Sequence, residues 1–247
     1  MDLQKPFFGL TSQHCVDTVL SGQLDTDCTK QFVANCLSLG VIAGATIVKV
    51  PQILRILKSQ SVHGVSEAAF IIELLANAIY CCYNVLEGYP ISNWGESAFV
   101  TIQCILLVLL YWSFQPGHHL IRGSLTCVLA AFFTFVLQGP FPHSALPILG
   151  FAPTPISVAS RLPQIVRNLR QGHTGELSLL TMGMQAAGNA ARVFTTVTQI
   201  DDWVVLTGHV TALCLNGTLL LQIVVYWKAT HHVNREVAEA RANKKGQ

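Results

Sequence analysis

The chain contains one unit twice, and this limits its folds more than any other feature. Lys49-Val50-Pro51-Gln52-Ile53-Leu54-Arg55-Ile56-Leu57-Lys58 recurs as Arg161-Leu162-Pro163-Gln164-Ile165-Val166-Arg167-Asn168-Leu169-Arg170, a shift of 112 positions. The shift persists downstream, where Ser66 meets Ser178, Asn77 meets Asn189 and Ala78 meets Ala190. Basic, proline, glutamine and asparagine positions all match over about 30 residues, which marks a duplication rather than chance resemblance.

The duplicated unit is built for lipid. Seven apolar stretches run over approximately 37–57, 67–86, 97–114, 121–138, 147–169, 178–199 and 203–227, each near the ~20 residues that cross a bilayer. Only 11% of the chain is charged and 51% is apolar, with mean hydropathy +0.46, whereas a soluble domain carries roughly 25% charge. Soluble globule, disorder, collagen and coiled coil are excluded, and a net charge of +2 is too small to point to nucleic acid. In lipid each segment must satisfy its own backbone, so the spans read as helices. Residues 1–35, interrupted by Asp17, Asp25, Asp27 and Lys30, lack the basic start and continuous apolar core of a cleavable signal.

Three spans per unit would turn the second copy upside down, yet both copies put Pro-Gln near the same end of a span, so a lone fourth span must restore direction. The expected fold is all-α and polytopic: seven transmembrane helices, as two parallel three-helix repeats joined by a linker helix. This gives a tail over 1–35, a first repeat over 36–116, a linker over 117–140, a second repeat over 141–228 and a basic tail over 229–247. Arg55, Lys58, Arg122, Arg167, Arg170 and Lys228 fall in one set of connections, and Glu87, Glu96, Asp201 and Asp202 in the other. The positive-inside bias therefore places the C-terminus in the cytosol and the N-terminus across the membrane. Lys244 and Lys245, fourth and third from the end, look like a dilysine retrieval signal of the endoplasmic reticulum.

Proline inside a helix removes a donor and strands the carbonyl four residues earlier, and a neighbouring glutamine amide can bond such a group. Pro51-Gln52 and Pro163-Gln164 thus read as hinges at the cytosolic ends of two helices, or else as fixed kinks that shape packing.

Two Pro-Gln motifs in a seven-span chain resemble the PQ-loop family, whose relatives include SWEET sugar transporters, cystinosin and the KDEL receptor. Within it, Gly40-Val41-Ile42-Ala43-Gly44, Asn93-Trp94-Gly95-Glu96, Gly172-His173-Thr174-Gly175, Ala191-Arg192-Val193-Phe194-Thr195 and Cys214-Leu215-Asn216-Gly217 resemble the mannose-P-dolichol utilization defect branch. The resemblance implies a non-enzymatic endoplasmic reticulum protein. Such a protein is needed for dolichol-phosphate-linked mannose and glucose to serve as lumenal donors in N-glycosylation and GPI-anchor assembly, with membrane lipids and glycosyltransferases as partners. The fold alone leaves open a second reading, a transporter of a free sugar or amino acid, proton-coupled through Glu73.

Ionisable groups inside spans are costly and suggest function. Lys49 and Arg161 share one repeat position, where each either snorkels to the headgroups or meets a substrate. Glu73 is placed to pair with Lys49, and Arg192 adds a third cation. This surplus suits a phosphodiester, and Asn77, Asn189 and Asn216 supply amides for sugar hydroxyls or simply join helices. No metal-ligand spacing, glycine-rich phosphate loop or nucleophile motif occurs, so no enzyme, cofactor or metal is expected. Cys15 and Cys28 lie in the tail, an oxidising setting, and either form a disulfide or remain thiols. The sequon Asn216-Gly217-Thr218 lies mid-span and is rejected as a glycosylation site.

Overall fold

The computed structural model describes residues 21–22, 25–63, 65–115, 117, 119–138, 141–175 and 177–245, with side chains described through Arg235 and at Glu239. Its helices are α1 (Thr26–Ile47), α2 (Val50–Ser59), α3 (Glu67–Leu86), α4 (Gly95–Phe114), α5 (His119–Gln138), α6 (Leu146–Phe151), α7 (Pro153–Gln171), α8 (Leu179–Gln199), α9 (Trp203–Val225) and α10 (Trp227–Lys245). Among the described residues five helical segments are long and apolar enough to cross a membrane: Thr26–Ser59, Glu67–Leu86, Gly95–Phe114, His119–Gln138 and Trp203–Val225. The chain is an all-α polytopic membrane protein. The stretches expected at 147–169 and 178–199 are helical too, but α7 carries Arg161, Arg167 and Arg170, and α8 carries Gln185, Asn189 and Arg192, which lowers their hydropathy.

Three boundaries differ from the sequence reading. The first helix starts at Thr26, inside the segment read as a tail, behind Asp25 at the N-cap position and with Asp27 in its first turn, where carboxylates suit the helix dipole. The span expected at 147–169 is two helices parted at Ala152. The segment read as a basic tail is α10, an Ala-, Lys- and Glu-containing stretch of good helix formers. Lys244 and Lys245 end it, and their side chains lie outside the described ones. Cys28 is disulfide-bonded, Cys15 lies outside the described residues, and the other described cysteines are free thiols.

The chain divides into two compact units, residues 1–153 with 194–205, and residues 154–193 with 206–247. In the first, Ile56, Val62, Phe70, Leu107 and Val108 form one apolar cluster, and Cys82, Tyr83, Val136, Leu146, Leu149 and Val204 another. Arg122, read from the sequence as a loop cation, is instead buried. Its guanidinium grips both carboxylate oxygens of Glu67 at 3.1 and 3.2 Å and the Gln115 carbonyl at 2.7 Å, and Trp112 Nε1 donates to the same Glu67 at 2.7 Å. The linker helix α5 is thereby tied to α3 and the end of α4. Asp202 is also buried. It caps α9 by accepting from the Val204 and Val205 amides at 2.7 and 3.4 Å, and it accepts from the Tyr83 and Tyr89 hydroxyls at 2.6 and 2.9 Å. Burial and the bond to Asp202 push the Tyr89 phenol above the usual tyrosine range, which keeps it a donor.

Gly150 sits where this cluster is tightest. A Cβ there would lie 2.6 Å from Val204 Cγ1 and 3.0 Å from the Tyr83 ring. Gly150→Ala is expected to destabilise the protein by about 1–3 kcal/mol through overpacking, read as a lowered unfolding midpoint in detergent. A midpoint equal to the parent's would show that the contact is slack.

In the second unit Ile165, Met182, Leu219 and Ile223 form the core. The two repeats begin their second helices alike: Ser66 Oγ accepts from the Ala69 amide at 3.4 Å, and the matched Ser178 Oγ from the Thr181 amide at 3.3 Å. The duplication seen in sequence is thus also a duplication of capping chemistry.

Candidate functional site

The first helix of the first repeat is broken. Helix α1 ends at Ile47 and α2 begins at Val50 with Pro51 in its first turn, because Pro51 cannot donate to the carbonyl of Ile47. The amide that serves the break is Gln103 of α4, not the neighbouring Gln52. Gln103 Nε2 donates to the Ala45 and Thr46 carbonyls at 2.7 and 3.0 Å, and its Oε1 accepts from the Lys49 amide at 2.9 Å. One buried side chain thus meets three backbone groups at the break, where lipid would offer them no partner.

The side chain of Lys49 turns to α3, where Nζ lies 2.5 Å from Glu73 Oε1. Asn77 Nδ2 donates to the Glu73 carbonyl at 2.8 Å, so this asparagine is bonded within its own helix. Lys49, Glu73, Asn77 and the Pro51 break therefore form one group, a discontinuous helix carrying a cation and an acid at membrane depth. Transporters place ion and substrate contacts at breaks of this kind.

The second repeat repeats the contact with altered chemistry. Arg161, the counterpart of Lys49, donates from Nη2 to Gln185 Oε1 at 3.0 Å, and Gln185 is the counterpart of Glu73. One copy holds an ion pair and the other a cation against a neutral amide, with no carboxylate within 4 Å of Arg161 among the described residues. Helix α7 runs unbroken through Pro163. Gln222 of α9 clasps it beyond the proline: Nε2 donates to the Ile165 carbonyl at 3.0 Å, and Oε1 accepts from Asn168 Nδ2 at 3.0 Å.

The remaining polar positions stand apart from these contacts. Gln52, Gln164 and Asn189 are half-buried. Arg192 is buried at 3% exposure, near His209 of α9. Asn216 is buried with Oδ1 lacking a hydrogen bond, a vacant acceptor in the second unit. No group of three or more His, Cys, Asp or Glu placed to hold a metal occurs among the described residues.

Reading by sequence missed Gln103, Gln222, Gln185 and Glu67. Two of them had a signal: a lone glutamine inside a long apolar run is a buried amide that must bond something.

Known proteins carry the same architecture. The PQ loop repeat model matches residues 33–93 and 145–205, two windows set apart by the shift at which the chain matches itself. The chain is 26% identical over 196 residues to solute carrier family 66 member 3 of Homo sapiens, covering 79% of this chain and 94% of that protein. With a matched segment in each half, each containing its Pro-Gln pair, the chain is a multi-pass membrane protein that carries two PQ-loop repeats.

Proposed function

We propose that this protein acts in the endoplasmic reticulum membrane, without catalysing a reaction, by binding, presenting or translocating dolichol-phosphate mannose and dolichol-phosphate glucose for lumenal glycosyltransferases. The observation that carries the reading is the pairing of Arg161 with the neutral Gln185. A guanidinium held at membrane depth by an amide keeps its charge for an incoming anion, and its planar fork matches two phosphate oxygens. Lys49 has no such surplus, because Glu73 neutralises it. The likeness of the Asn93-Trp94-Gly95-Glu96 and Ala191-Arg192-Val193-Phe194-Thr195 stretches to the dolichol-sugar branch supports the same ligand.

The test is direct. Purified full-length protein in liposomes is expected to bind dolichol-phosphate mannose, and cells lacking it are expected to accumulate truncated lipid-linked oligosaccharide. Normal oligosaccharides in the null cells, together with no binding in vitro, would discard the proposal.

A second reading has its own support. The Lys49–Glu73 pair beside a broken helix is an acid and a base at one hinge, an arrangement suited to proton-coupled movement of a small solute, and the human relative is named a solute carrier. Uptake of a sugar or amino acid into proteoliposomes, lost on Glu73→Gln, would favour it.

A further inference from the structure

We infer that the outward face of α7 is a docking groove for a membrane lipid with an anionic phosphate headgroup. The groove has a volume of about 770 Å³, within the ~300–1,000 Å³ usual for ligand sites. Its walls are sorted along the helix: Ala159, Leu162, Pro163 and Val166 come first, then Arg167 and Arg170. These positions recur at three- and four-residue steps and so share one face. Pro163 to Arg170 spans about 10 Å at 1.5 Å per residue, so a hydrocarbon chain laid on the apolar half delivers its headgroup to the guanidinium pair.

Three observations favour a lipid over a soluble anion. Leu162 and Val166 are 47% and 37% exposed, an apolar surface that a free phosphate would leave uncovered. Arg167 and Arg170 are exposed, and no carboxylate lies within 4 Å of either among the described residues, so their forks are available for phosphate oxygens. The opposite side of the same turns is fixed, since Gln222 bonds the Ile165 carbonyl and Asn168. The groove face is therefore presented on a braced helix. A cavity of about 430 Å³ in the first unit, lined by residues such as Leu74, Ile105, Leu129 and Phe133, has hydrocarbon walls and no cation, so nothing in it selects a headgroup. The inference goes beyond the sugar-lipid proposal and does not rest on it, because it requires only a phosphate and a chain.

The experiment titrates the detergent-purified full chain with phosphatidic acid or phosphatidylcholine and reads bound lipid by native mass spectrometry. Phosphatidic acid is expected to bind at least about tenfold more tightly than phosphatidylcholine, and Arg167→Gln with Arg170→Gln is expected to remove most of that preference. The matched pair Arg55→Gln with Lys58→Gln should change it little, and Ala159→Trp, which fills the apolar half, should weaken both lipids. Each variant is checked for a parental unfolding midpoint, and all four positions with charge lie on exposed surface. Equal loss in the two double variants would reduce the groove to diffuse surface charge and overturn the inference. So would equal binding of the two lipids, or displacement of phosphatidic acid by inorganic phosphate at matched concentration.

Discussion

Replacing Gln103 by leucine is expected to cost about 3–5 kcal/mol of stability, the largest effect of any single polar substitution in the spans. Leucine fills a similar volume, so the loss is not a cavity. It is the stranding of the Thr46 carbonyl and the Lys49 amide, with the Ala45 carbonyl left to the Val48 amide at 3.4 Å, each unmade bond being worth ~1–3 kcal/mol where buried. The matched experiment is Gln222→Leu, which removes a second bond from the Ile165 carbonyl, a group inside the continuous helix α7, and deprives Asn168 Nδ2 of its acceptor; about 1–3 kcal/mol is expected. Equilibrium unfolding in mixed micelles gives both values. If the two substitutions cost the same, the break at Val48–Lys49 is held by packing and the clasp is incidental.

The difference between these glutamines also shows why sequence reading stopped where it did. The unit of duplication was legible because basic, proline and asparagine positions match at one shift, and the family match falls on the same spacing. Glu73 was legible as a partner of Lys49, since both sit at similar depth on neighbouring spans. The clasp was not, because Gln222 corresponds to Leu110, and Gln103 to Leu215. The two amides lie seven residues apart in the repeat frame, two helical turns on one face, so a position-by-position comparison hides them while the geometry keeps them equivalent. The seam on which each acts is nevertheless the same, third helix to first helix within its repeat. Arg122 was misplaced for a different reason. Charge distribution along the chain sorts loops by side of the membrane, but it cannot tell a solvated cation from one buried against Glu67, which requires knowing that α3 begins beside the end of α4. The break itself was half legible: Pro51 and Pro163 are identical in type and register, yet only the first interrupts its helix.

That asymmetry yields the second large prediction, a reciprocal exchange of the repeat-matched partners. Gln185→Glu places a carboxylate where Arg161 now meets an amide at 3.0 Å, which reproduces in the second repeat the ion pair of the first. If Arg161 receives the phosphate of a sugar lipid, the new carboxylate occupies its donors and repels the ligand, and binding of dolichol-phosphate mannose to the purified protein is expected to fall about 10- to 100-fold, the worth of one hydrogen bond to a charged group. Glu73→Gln does the converse. It frees Lys49 from its ion pair and leaves two cations held only by amides, so anionic lipid binding is expected to hold or rise. A proton-coupled solute carrier requires the opposite ranking, because Glu73 is then the group that binds and releases the proton, and Glu73→Gln abolishes flux while Gln185→Glu leaves it running. The two variants thus separate the readings by sign rather than by degree. A fold defect would lower both activities together, and parental unfolding midpoints in both variants exclude it.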